Sequence, residues 1–350
     1  MFKTTEGSTG RLVQLCVFYF FFYVITGVTV KYFTPKVGDI EYLVYSTIGG
    51  NALCLLVVFA MGWYKLQSNH YVEWGKIRFP KEFLYIIPSG VCTAVVIPTT
   101  TLMYSLPISV MVAMVIMRGS VIVLSRIIDA IQIKQGILKK KVYWEEEFGV
   151  LFALIAVSVQ LFFKDGGFDF INNTAAVIIL SSYLVAYFIR IYIMNYYKNT
   201  RPKDSIYDCK GFFGVEQIAA TVTMVGVGLL LYYSPQWDVA QLNAYKTAFT
   251  NPNSLWPWEI IGGTAFGMVA FFSVFIFMFK GRTATFAGLV NRLTSLVAGT
   301  TATLVVHFML GGKMPNQEDW ISLLFILIAV GFLTAAEKKR TLELKQAKEI

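Results

Sequence analysis

Ile108–Ala130 reads ISVMVAMVIMRGSVIVLSRIIDA, and its first ten residues carry no charge at all. A helix of about 20 such residues crosses the hydrocarbon core of a bilayer. A stripe of apolar residues on one face would suit a soluble helix, but this run is apolar all round, as a membrane span is. Its centre holds one arginine, Arg118, which has to be explained.

Nine similar runs flank it, giving ten spans at about 12–30, 40–63, 83–106, 108–130, 147–163, 174–197, 212–233, 258–280, 285–310 and 320–336. The fifth and tenth are short, and Pro88, Pro98 and Pro107 interrupt the third and fourth. Prolines inside a span free carbonyl groups that neighbouring helices or a cavity must satisfy. The whole chain agrees with this reading. Its 350 residues are 56% hydrophobic, 16% aromatic and 15% charged, with a mean hydropathy of +0.60. A soluble domain carries roughly 25% charged residues, so too little polar surface exists to coat a globule in water. Disorder is excluded by the apolar content. A disulfide scaffold is excluded by four scattered cysteines, Cys16, Cys54, Cys92 and Cys209, with no CxxC pair. The fold class is an all-α membrane protein of ten transmembrane helices.

Basic residues orient the spans. The N-terminus, the connections after even-numbered spans and the C-terminus hold 21 of the 30, including Lys139-Lys140-Lys141 and Lys338-Lys339-Arg340. The other side holds Lys31, Lys36, Lys164, Lys246 and Lys313. The positive-inside rule puts both termini in the cytoplasm. The net charge of +9 is this juxtamembrane bias, and with no folded soluble domain to carry a basic patch, no nucleic-acid partner is expected. The first run is too long for a signal peptide and is followed by no A-x-A site, so it is expected to stay in the mature protein. The sequon Asn172-Asn173-Thr174 abuts the sixth span. Ser68–Lys81 reads as an interfacial segment at the cytoplasmic surface, with Tyr71, Trp74 and Ile77 between basic residues.

The two halves come into register at an offset of about 174 residues. Met117-Arg118-Gly119-Ser120 then falls on Asn291-Arg292-Leu293-Thr294, and Leu154-Ile155-Ala156-Val157-Ser158 on Leu327-Ile328-Ala329-Val330-Gly331. The first and sixth spans match only after a gap of roughly ten residues. Residues 1–165 form a first five-helix repeat, 174–336 a second and 337–350 a cytoplasmic tail. Five spans per half is an odd number, so the halves cross the membrane in opposite senses. Such inverted repeats recur in secondary transporters, with substrate near the midplane at the repeat interface.

A 5+5 chain of this length with cytoplasmic termini resembles the drug/metabolite transporter superfamily, and locally its nucleotide-sugar transporter and EamA-like branches. Phe286-Ala287-Gly288-Leu289-Val290-Asn291-Arg292 is similar to the Gly-Ala-Leu-Asn-Lys motif of GDP-mannose transporters, matching at Gly288, Asn291 and Arg292 with Arg in place of Lys. Met117 to Val123 is similar to the fourth-span pattern of their solute-carrier relatives. Where that family has a Tyr-Asn-Asn motif for the base, this chain has Phe213-Gly214-Val215-Glu216-Gln217. The resemblance implies contacts from Gly288, Asn291 and Arg292 to sugar and phosphate.

Intramembrane charges cost roughly 2.5–3.5 kcal/mol each on insertion scales. Arg118, about 15 Å along its span, lies near the midplane, and Arg292 occupies the matching position of the second half. Guanidinium groups bind phosphate or carboxylate bidentately, so the pair reads as an anion site; the bland alternative ties each arginine to carbonyls or to Glu216. Glu216, beside Gln217, can carry a coupling proton, hydrogen-bond a substrate base or ribose, or neutralise an arginine. Arg126 and Arg190 read as snorkelling cations near cytoplasmic span ends, Arg126 with Asp129 on its own face. Glu145-Glu146-Glu147 reads as a solvated start of a helix. Tyr23, Tyr104 and Tyr187 can stack on a substrate ring. Met111, Met114 and Met117 read as helix packing, and His307 as a satisfied core histidine. Gly263-x-x-x-Gly267 suits close helix contact.

Two histidines in separate regions, with no HExxH, no Hx4D and no paired carboxylates within a span, argue against an enzyme; the absence of a P-loop argues against a primary pump. No cofactor or metal site is read. The expected function is secondary active transport of an anionic or zwitterionic metabolite, such as a nucleotide sugar or phosphorylated metabolite by exchange. The alternatives are a membrane-embedded transferase acting on a lipid-linked substrate, or an amino-acid or drug exporter of the same superfamily. The partners expected are that substrate and the lipid bilayer, for a monomer or homodimer in a bacterial inner membrane or a Golgi- or ER-type membrane.

Overall fold

The computed structural model describes residues 9–138, 141–162, 169–200, 206, 208–235, 239–279 and 284–349, without the side chains of 9, 74, 77, 284–289, 341 and 344–349. The described chain is helical apart from one hairpin. In order come α1 (Thr9–Val37), α2 (Asp39–Ala60), β1 (Tyr71–Trp74), β2 (Ile77–Pro80), α3 (Phe83–Ser105), α4 (Val110–Lys134) and α5 (Trp144–Phe162). Then follow α6 (Thr174–Asn199), α7 (Cys209–Tyr233), α8 (Ala240–Thr250), α9 (Trp256–Phe277), α10 (Ala284–Leu310) and α11 (Gln317–Glu349).

Among the described residues nine helices are long and apolar enough to cross a membrane. The exceptions are α5, whose first turn carries Glu145, Glu146 and Glu147, and α8, with only 11 residues. Large apolar side chains cover the outside: Phe21 is 58% exposed, Leu56 65% and Leu230 74%. Monomers in water rarely expose such continuous apolar surface, and a lipid-facing surface accounts for it. This is a multi-pass membrane protein.

Local chemistry sets the helix ends. Ser109 Oγ accepts from Val112 N at 3.1 Å to start α4, Asn173 of the sequon accepts from Ala176 N at 2.9 Å to start α6, and Asp208 accepts from Gly211 N at 2.9 Å to start α7. Gly136 after α4 and Gly311 after α10 take φ of 72° and 69°, the left-handed conformation that ends a helix and that glycine tolerates best. Pro88 and Pro98 both lie inside α3. Pro98 leaves the Ala94 carbonyl without its helical donor, and just after it the hydroxyls of Thr99 and Thr100 bond back to the carbonyls of Val95 and Val96, each at 2.7 Å.

Helix α2 packs along α9, and α3 along α7; α1 lies against α9 and α10, and α6 against α3 and α4; α4 touches α10 and α5 touches α11. The α2–α9 contact is backbone against backbone. A Cβ on Gly49 would strike the Ile260 carbonyl, one on Gly263 the Ser46 carbonyl, and one on Gly50 would stand 3.1 Å from the Gly263 oxygen.

Three sequence expectations are revised. The interfacial segment at 68–81 contains an antiparallel hairpin, Tyr71 opposite Pro80 and Trp74 opposite Ile77, turning at Gly75-Lys76. Helix α8 was not anticipated, because its polar composition resembles a loop. The tail at 337–350 continues α11 as helix to Glu349, since nothing between Thr334 and Glu349 breaks a helix.

Candidate functional site

Arg118 lies in the first third of α4 and is 4% exposed. Its Nη1 donates to Tyr183 Oη at 3.0 Å and Tyr187 Oη at 3.2 Å, both from α6, and its Nη2 donates to Tyr23 Oη of α1. The guanidinium also stands over the rings of Tyr23 and Tyr187, at 5.4 and 5.8 Å from their centroids, within cation–π range. Tyr104 of α3 closes the group, its hydroxyl 2.8 Å from that of Tyr23 and 3.1 Å from Met114 Sδ, to which it donates. Met114 is therefore part of the wall as well as of the packing stripe.

Tyr19 and Tyr23 of α1 are four residues apart, and so are Tyr183 and Tyr187 of α6. That spacing puts each pair on one helix face. Tyr19 donates to Asn291 Oδ1 at 3.3 Å, and Asn291 Nδ2 to Ser273 Oγ at 3.3 Å. Next to Asn291, Arg292 is 2% exposed and donates to Ser125 of α4 at 2.5 Å. Ser125 lies seven residues beyond Arg118, about two turns along the same helix, so both arginines are buried along α4, with no hydrogen bond between them among the described residues.

The hydrogen-bond inventory of this centre is one-sided. The Nε atoms of Arg118 and Arg292 are buried with no partner. Tyr183 and Tyr187 accept from Arg118, which leaves each hydroxyl proton to donate, and among the described residues no acceptor meets either. The centre thus presents unused donors and a positive charge, and among the described residues no carboxylate bonds to Arg118. Solvent does not reach Tyr23, Tyr104 or Tyr183, all 0% exposed.

Glu216 is elsewhere. It is fully buried and forms a fork with Arg190, whose Nε and Nη2 reach its two oxygens at 2.9 and 3.0 Å. Ser89 and Thr93 of α3 donate to Glu216 Oε1 at 2.6 and 3.2 Å. Arg190 is consequently not a snorkelling cation but half of a buried, fully bonded pair. Arg126 likewise reaches across to α5, at 2.5 Å from Glu147 and 3.9 Å from Glu146. Glu145 pairs with Lys339 of α11, so Glu145 and Glu146 are buried partners instead of a solvated helix start. Gln217 faces away from Arg118, into a small cavity of about 10 Å³ with Thr47, Asn51 and Cys54 of α2, and both ends of its amide lack partners. His307 Nδ1 lies 2.7 Å from the Gly312 carbonyl. Gly288 lies in the first turns of α10, outside the residues whose side chains are described.

The structure therefore brings together Arg118, Tyr23 and Tyr104, sets Asn291 beside Tyr19 and Arg292 against Ser125 of α4, and bonds Glu216 to Arg190 instead. Tyr19 and Tyr183 were missed. Their signal is a Tyr-x-x-x-Tyr on α1 and on α6, which α6 also carries a second time at Tyr192 and Tyr196. Among the described residues no group of three or more His, Cys, Asp or Glu is placed to hold a metal.

No family model matches the chain, and no curated protein does. A solved structure described only as "Crystal structure of protein" is similar, with a TM-score of 0.53 and 12% identity over 95% of this chain and 99% of that one. At that identity the likeness concerns the fold alone.

Proposed function

We propose that this protein is a secondary transporter that carries an anionic metabolite past Arg118 and Arg292 by alternating access. The observation that carries the reading is the surplus of donors: unbonded guanidinium N–H groups and phenol protons lie buried between α4, α6 and α10, with no bonded carboxylate among the described residues. A phosphate or carboxylate is the group that fits such a set. Because solvent does not reach the centre in this conformation, loading requires another one, as alternating access does.

The architecture behind this reading is ten spans, with α5 counted despite its acidic first turn, in two inverted halves with cytoplasmic ends. Three features support the halves. The packing survives exchange of α1–α5 for α6, α7, α9, α10 and α11: α2 on α9 becomes α7 on α3, and α1 on α9 becomes α6 on α3. Glycine ends both α4 and α10 in the same conformation. Paired tyrosines lie on both α1 and α6. On this reading the chain is akin to the drug/metabolite transporters, and phosphorylated metabolites or nucleotide sugars are the first substrates to try.

The test is a thermal-shift screen of purified protein against nucleotides, nucleotide sugars, sugar phosphates and amino acids, since a native-state ligand raises apparent stability. A hit is then followed by transport in proteoliposomes. The Arg118→Ala, Arg292→Ala double variant is expected to fold and to lose both signals. Wild-type transport by that folded double variant would refute the anion site.

A further inference from the structure

Glu41 lies in the first turn of α2 and Glu259 in the first turn of α9, at the same end of the closely packed α2–α9 pair. Asn253, in the connection from α8 to α9, stands between them. Its Nδ2 donates to Glu41 Oε1 at 2.7 Å and to Glu259 Oε1 at 2.8 Å, and its backbone N–H donates to the same Glu41 oxygen at 3.0 Å. The two carboxylates accordingly lie within about 5.5 Å of each other, the reach of those two bonds end to end. Two ionised carboxylates so close, one of them removed from water, repel strongly.

Asn253 donates to both carboxylates but brings no positive charge to the pair. Among the described residues neither glutamate has an ion-pair partner. Lys31, on the neighbouring α1, donates to the Leu106 carbonyl and interacts with Asp39. Glu259 is 0% exposed, and its second oxygen, Oε2, is buried without any hydrogen-bond partner. A proton would remove one charge but would put a buried donor with no partner in place of the buried acceptor. A cation bonded to Oε2 solves both problems, satisfying the atom and screening the two charges from each other.

We propose that Glu41 and Glu259, with oxygen atoms of the 251–255 connection and water completing the shell, bind a divalent cation of the calcium class. The donors are hard oxygens, which suit calcium or magnesium over zinc or copper. Two carboxylates place the site among weak ones, with dissociation constants of roughly 10⁻⁴–10⁻³ M. The occupied site ties the start of α2 to the connection that leads from α8 into α9. Tyr45 already fastens the same junction by donating to the Ala248 carbonyl. This site is separate from the arginine centre and does not depend on what that centre carries.

Terbium luminescence on the purified full-length protein tests it. Trp256, three residues from both Asn253 and Glu259 and with its ring 6.0 Å from that of Tyr45, serves as the antenna. Wild-type protein is expected to give tryptophan-sensitised terbium emission that millimolar calcium displaces. Glu41→Gln and Glu259→Gln are each expected to weaken terbium at least tenfold, whereas Glu318→Gln, an exposed carboxylate elsewhere, leaves it unchanged. Should the glutamine variants fold poorly, the wild-type melting temperature carries the test alone: calcium raises it and potassium at equal ionic strength does not. Emission that calcium fails to displace, emission retained in both glutamine variants, or a melting temperature indifferent to calcium would each overturn the site.

Discussion

Arg118 and Arg190 are each 4% exposed and lie on packed neighbours, α4 and α6, yet their surroundings differ in kind. Arg190 meets a carboxylate in fork geometry, and that carboxylate takes two further hydroxyl bonds. Arg118 meets only phenols, which accept its protons without cancelling its charge. Burial therefore does not separate a structural arginine from a binding one. The formal charge of the partners does. A compensated pair is finished in itself, whereas an uncompensated guanidinium among donors is an incomplete arrangement, which on the proposed function a substrate anion completes.

The sharpest way to break this comparison is Glu216→Ala. Removing one partner of a buried pair typically costs about 3–5 kcal/mol because the other charge is stranded. A fall in stability of that size is expected in denaturant or thermal unfolding; an unchanged melting temperature would mean Arg190 is as independent of its partner as Arg118. Next comes Arg118→Ala, where the expected loss is in binding, at about 2–5 kcal/mol or at least thirtyfold in anion affinity, with little change in melting. Calorimetric titration with the best ligand reads both arms. A variant that melts early and binds normally would reverse the assignment of the two arginines.

Tyr187→Phe keeps the ring over Arg118 and removes only the hydroxyl, so a hydrogen bond to a charged group of about 1.5–3 kcal/mol is at stake. Roughly a tenfold weaker anion is expected, with the cation–π contact intact. Ser125→Ala should do least, at the low end of that range or about 1.5 kcal/mol, since it removes one hydroxyl from Arg292 and leaves Arg118 untouched. If Ser125→Ala proved the more damaging of these two, the binding centre would lie closer to Arg292 than to Arg118.

The apolar helices were legible from the chain alone because lipid imposes length and composition on each span separately. Arg118 and Arg292 were legible for the same reason: a charge in such a run stands out wherever it folds. What surrounds them was not. Arg190 and Glu216 lie 26 residues apart on different helices, and only the α3–α6 and α3–α7 packing brings them together. With 19 tyrosines in the sequence, eight of them on α1 and α6, Tyr19, Tyr23, Tyr183 and Tyr187 became distinguishable only through the contacts they make. Helix α8 and the hairpin escaped because short polar elements get their stability from neighbours and leave little periodicity behind.

The glycine contact between α2 and α9 limits how such a molecule can move. Two helices separated by side chains can slide, as rotamers change to absorb the shift. Here Gly49, Gly50 and Gly263 bring carbonyl groups against bare Cα atoms, so sliding by one residue would drive a side chain into a main chain. The pair behaves as a single beam, and any transition that exposes Arg118 to one side of the membrane must swing that beam whole, with the bending taken up in the connections at its ends.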